Sequence, residues 1–122
     1  MDQGCGCCMG YDGVFIAYSW PATSRGLAYL ADLDTARLAS RNLRIFLEYL
    51  SEETDVENIH LIGYSMGTRV VTYALQDIAL IYKGESHKKI HKKLRVGNVS
   101  LVGSDLDRGV FLVFTLDGIL NV

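Results

Sequence analysis

The spacing of apolar and polar positions changes character from one segment of this chain to the next. Val14-Phe15-Ile16-Ala17-Tyr18 is a continuous β-branched and aromatic run between Gly13 and Pro21, which predicts a buried strand. Ser19 to Gly26 predicts a loop, punctuated by Pro21. From Asp32 or Asp34, either of which can cap a helix, to about Glu52 the period lengthens. Leu43, Phe46, Leu47 and Leu50 fall at i, i+3, i+4 and i+7, one face for packing against a sheet, while Arg37, Arg41, Arg44 and Glu48 fill much of the rest. Glu53 to Asn58 is a polar turn, and Ile59-His60-Leu61-Ile62 is a second strand. Thr68 to Tyr82 predicts a second helix, with Val70, Val71, Ala74, Leu75, Ile78 and Tyr82 forming a stripe wide enough for deep burial. Lys83 to Lys93 is a polar connection with partial helical character, and Val96 to Gly103 is a third strand. Strand, helix, strand, helix, strand at these lengths is a right-handed parallel α/β unit.

Composition narrows the class without changing that picture. The 122 residues suffice for one domain with a single core. With 49% hydrophobic and 21% charged residues, the chain leans apolar, as a parallel sheet buried on both faces requires. The formal net charge of -2 argues against a nucleic-acid partner, with one basic exception running from Lys83 to Arg95. The first cationic side chain is Arg25, so no secretory n-region precedes an apolar core, and no stretch has the length of a membrane span. A soluble, cytoplasmic protein is the default expectation. Cys5, Cys7 and Cys8 lie too close together to staple a fold and lack a fourth ligand for a metal. Asp2 excludes the N-myristoylation signal that often accompanies a lipidated cysteine cluster, so residues 1–9 read as an unstructured leader.

Gly63-Tyr64-Ser65-Met66-Gly67 carries the candidate chemistry. On its own a G-x-S-x-G pentapeptide is a weak signal. Between a predicted strand and a predicted helix it fits a nucleophile elbow, a turn sharp enough to project the serine hydroxyl above a sheet. A side chain at Gly63 or Gly67 is expected to crowd that turn. The Met66 amide, at the head of the helix, would face the position where an acyl oxyanion develops. The plain alternative is an ordinary strand-to-helix turn with Ser65 as a helix cap.

Several further segments match a known group. Gly10-Tyr11-Asp12-Gly13-Val14-Phe15-Ile16-Ala17-Tyr18-Ser19-Trp20-Pro21 resembles the strand and Ser-Trp-Pro turn of a bacterial family of uncharacterised α/β-hydrolases. The likeness continues through Tyr29-Leu30-Ala31-Asp32, Arg41-Asn42-Leu43, the elbow with Thr68-Arg69-Val70, and Ser104-Asp105-Leu106-Asp107-Arg108-Gly109-Val110-Phe111. It implies a three-layer α/β/α fold with a mainly parallel sheet, and a serine hydrolase acting on a small-molecule ester or acyl substrate with no cofactor. By the same resemblance Ser65 is the nucleophile and the Met66 N–H one oxyanion donor. Asp105 is the candidate acid, at the carboxyl end of the third strand where some lipase-like members place it, with Asp107 behind it. More commonly the acid follows the strand after that, and an Asp ending a strand also serves simply to cap a turn.

Two departures qualify the resemblance. The family's preceding strand, with the His-Gly pair that supplies a second oxyanion donor, would lie before Gly10, where this chain has its Cys-Gly leader. The catalytic histidine would follow the last strands, whereas residues 112–122 form an atypical apolar, β-prone tail. The expectation is therefore a truncated central portion of a hydrolase domain over residues 10–111. His60, inside the second strand, is expected to be a packed or hydrogen-bonded core residue. His87 and His91 have the i, i+4 spacing of a metal pair, but Lys88, Lys89, Lys92 and Lys93 surround them, and a solvated helix face is the expectation. A non-catalytic fragment or pseudoenzyme acting as an interaction module is the competing function. A third reading, an anion cradled at the helix start, lacks the glycine density and lysine of a phosphate loop.

Overall fold

A computed structural model of the chain describes residues 12–21 and 28–103. Helix α1 spans Ala28–Glu53, strand β1 Ile59–Tyr64, helix α2 Gly67–Ile81, helix α3 His87–Leu94 and strand β2 Val96–Val102. The order is that of an α/β unit, with β1 and β2 parallel neighbours joined by the two helices between them.

Helix α1 starts before Asp32 and Asp34, the two residues expected to cap it. Its opening residues Ala28, Leu30 and Ala31 are strong helix formers, and they carry the helix upstream of both aspartates. Ala36, Ala39, Ser40, Leu43 and Leu47 form the buried stripe, while Phe46 and Leu50 flank it half-buried. That stripe meets Val70, Val71, Ala74, Leu75 and Ile78 of α2 in one apolar core, to which α3 adds Leu94 and β2 adds Val96. Polar ties reinforce the packing. The Arg37 guanidinium lies 4.5 Å from the Tyr73 ring centroid, and the Ser51 hydroxyl, buried, contacts the carbonyls of Leu47 at 2.9 Å and Leu94 at 2.7 Å.

The sheet packs one face on these helices. Ile59, Leu61 and Gly63 of β1 and Val96, Val99 and Leu101 of β2 point inward, and His60, Ile62, Tyr64, Ser100 and Val102 point out. The described residues thus supply the sheet and the helical layer on one side of it. Register breaks once, between Ile59↔Val96 and Leu61↔Val99, where β2 has one residue more than β1. This bulge explains His60. The ring lies against Gly97, and its Nδ1 accepts the Asn98 N–H at 3.1 Å, an amide taken out of the ladder by the extra residue. His60 is hydrogen-bonded as expected but exposed, because its strand face is the uncovered one.

Val14 to Tyr18 forms no strand. Among the described residues no neighbour offers it a ladder, and β propensity without a partner strand leaves Val14 87% exposed and Ile16 57% exposed. Side chains hold the segment instead. The Tyr18 hydroxyl donates to the Ala39 carbonyl at 2.8 Å, and Trp20 packs on the start of α2.

Candidate active site

Strand β1 ends at Tyr64 and helix α2 begins at Gly67, leaving only Ser65 and Met66 to reverse the chain. That economy forces Ser65 into the left-handed region, with φ +50°, a conformation that costs an L-residue of order 1 kcal/mol or more. Three bonds hold it there. The Ser65 N–H donates to the Val102 carbonyl at 2.9 Å, so β2 extends its pairing one residue into the turn. The Ser65 carbonyl accepts both the Thr68 N–H at 3.0 Å and the Thr68 hydroxyl at 2.6 Å. Thr68 itself is fully buried; the family likeness includes it, but its role as the clamp on the Ser65 carbonyl comes only from the folded backbone. With the backbone fixed this way, the side chain of Ser65 is exposed.

Met66 takes helical angles, φ -62° and ψ -23°, as the residue that caps α2. Among the described residues no backbone acceptor takes its N–H, which stands at the positive end of the α2 dipole. The two glycines differ. A Cβ on Gly63 would lie 3.0 Å from the Gly67 carbonyl oxygen and 3.1 Å from the Thr68 Cα, both rigid backbone. A Cβ on Gly67 would meet only the Trp20 ring at 3.5 Å, an ordinary contact, so the crowding expected there is absent. Trp20, from the Ser-Trp-Pro turn, therefore walls one side of the elbow. Its indole N–H is buried with no hydrogen-bond partner among the described residues.

The histidines lie elsewhere. His60 sits five residues before Ser65, roughly 16 Å away along an extended strand. The His91 Nδ1–H donates to the Val96 carbonyl, 2.6 Å away, at the beginning of β2. His87 opens the same helix α3. All three belong to the end of the sheet opposite Ser65. Among the described residues no group of three metal-ligating side chains gathers. Asp105 and Asp107, the candidate acids, lie outside the described residues, as do the Cys5, Cys7 and Cys8 leader and the 112–122 tail. Among the described residues no helix is long and apolar enough to cross a membrane.

The model of a family described as alpha/beta hydrolase of unknown function (DUF900) matches residues 7–116. No curated protein and no solved structure matches the chain.

Proposed function

Since this chain belongs to the family of α/β hydrolases of unknown function, DUF900, we propose that it is a serine hydrolase of the esterase or lipase type, with Ser65 as nucleophile. The observation that carries the reading is the left-handed Ser65, pinned by Thr68 and Val102 at a two-residue strand-to-helix junction. A backbone held off its preferred angles points to a side chain whose position matters. In this reading the Ser65 Oγ attacks the acyl carbonyl of a small ester. Negative charge develops on the carbonyl oxygen, and the Met66 amide at the head of α2 stabilises it. Asp105 is the proposed acid, three residues in sequence after Val102, the last residue of β2, the strand that Ser65 is hydrogen-bonded to.

One observation favours a second reading, a non-catalytic binding module. His60 and His91 sit at the far end of the sheet, and the backbone of His87 opens helix α3 there, so no described imidazole adjoins Ser65 to take its proton. Loss of the base in a serine triad costs several orders of magnitude in rate. A fluorophosphonate probe separates the two. Labelling of the folded chain at Ser65, mapped by mass spectrometry and abolished by Ser65→Ala, is the expected result and means that an activated nucleophile is present. A folded sample that takes no label supports the binding module.

A further inference from the structure

We propose that helix α3 and the adjoining end of α2 form a docking surface for an anionic lipid bilayer. Residues 83–95 hold six cationic side chains against the single carboxylate Glu85, a net +5. The whole chain is -2, so the remaining residues carry -7: half of the twelve cationic side chains lie in this one stretch, and elsewhere carboxylates outnumber the other six. Helical geometry orients it. Leu94 is buried and Ile90 half-buried, which turns that stripe of α3 inward and sends Lys88 and Lys92, one turn apart on the opposite side, straight outward. Lys89 and Lys93 occupy the flank toward α2, where the Lys93 ammonium lies 4.5 Å from the centroid of the Tyr82 ring. Among the described residues none of Lys83, Lys88, Lys89, Lys92 and Lys93 is in an ion pair.

The end of α2 also exposes apolar side chains. Leu80 and Ile81, immediately before Tyr82 in sequence, are 64% and 54% exposed although their helix has a well-filled core face. A lipid interface takes both kinds of group, since apolar side chains enter the headgroup boundary and ammonium groups meet lipid phosphates. A nucleic acid fits less well. Its phosphates and bases favour arginine forks and free aromatic faces, while here the outward cations are lysines, Arg95 donates to the Val56 carbonyl and the Tyr82 face is covered by Lys93. Two carboxylates approach the edges of this surface: Glu57 lines a recess together with Lys92 and Arg95, and Glu48 lies 3.4 Å from the hydroxyl of the Tyr82 ring that Lys93 covers. Asp77, half-buried, stands one turn before Ile81. Helix α2 has 15 residues and runs from the Ser65 turn to this surface, about 22 Å, so docking leaves the Ser65 end facing solution.

Sedimentation of the 122-residue chain with vesicles tests the proposal. Phosphatidylcholine vesicles containing phosphatidylserine should bind it, pure phosphatidylcholine should not, and added salt should release it as the Debye length shrinks below about 10 Å. Lys88→Gln with Lys89→Gln and Lys92→Gln should weaken binding about a hundredfold, at about fivefold per lysine. Leu80→Ser with Ile81→Ser should weaken it separately, and circular dichroism would show that both variants, altered only at exposed positions, remain folded. Equal binding to neutral vesicles, no binding at low salt, or unchanged binding by the folded lysine variant would overturn the proposal. So would displacement from vesicles by a homopolymeric RNA that the Leu80→Ser, Ile81→Ser variant binds as well as the parent, which would mark the surface as a nucleic-acid site.

Discussion

Gly63 and Gly67 bracket the same serine and look equivalent in the motif, yet they meet different surroundings. Adding a methyl at Gly63 drives it into backbone atoms at 3.0 and 3.1 Å, which cannot rotate away. Gly63→Ala should therefore cost about 2 kcal/mol, in the range of overpacked core positions, and lower the denaturation midpoint. Gly67→Ala meets one indole edge at 3.5 Å and gains helix propensity in the first turn of α2, so its midpoint should move by less than about 0.5 kcal/mol in equivalent stability. Periodicity and motif identified the turn and its serine. They could not separate the two glycines, because the difference lies in Trp20 and Thr68, which approach from outside the pentapeptide. His60 gives the same lesson. Its position in β1 was legible, but its role at the β2 bulge depends on a register that no local pattern encodes.

At the scale of elements, the helices were the most legible, since a stripe repeated over several turns averages out individual residues. The α2 stripe of Val70, Val71, Ala74, Leu75 and Ile78 is buried as its spacing requires. The run at Val14 to Tyr18 misled, because strand formation needs a neighbour and composition alone does not provide one. What secures this segment is the Tyr18 hydroxyl on the Ala39 carbonyl of α1, and burial raises the Tyr18 phenol above its ordinary pKa. The folded state thus holds the Tyr18 proton more tightly than the unfolded chain. The stability this contributes is complete below the unfolded value of about 10 and is lost as pH rises through the higher folded value. Denaturant titrations across the alkaline range should show this part of the fall in wild type and not in Tyr18→Phe. At neutral pH the same variant should lose about 1 kcal/mol, the worth of one hydrogen bond.

For the molecule as a whole, the sheet has one covered and one open face among the described residues. Leu47 and Ile62 are both aliphatic residues in regular elements, but Leu47 is 1% exposed and Ile62 63%. Leu47→Ala removes packing from the place where α1 meets the rest of the core and should cost about 3 kcal/mol. Ile62→Ala removes a side chain already in contact with water and should cost less than about 0.5 kcal/mol. Thermal or urea denaturation of the pair measures the asymmetry directly. Similar costs at the two positions would mean that the outer face of β1 is covered in solution. The charge pattern belongs to this scale too. A chain of net -2 gave no sign, as a total, that residues 83–95 alone carry a net +5 and that α3 exposes four lysines.

The sequence by itself determined the α/β order, the membership in a hydrolase family, and the serine at the junction of strand and helix. Those depend on short-range periodicity and on glycine-bounded turns, which are written within a few residues of one another. Tertiary structure alone decided that Ser65 takes a left-handed backbone held by Thr68 and Val102, that Trp20 leans on Gly67, and that all three histidines belong to the opposite end of the sheet. Each of these depends on contacts between elements, fixed by packing and register, and no local pattern specifies where a distant backbone carbonyl or ring will arrive.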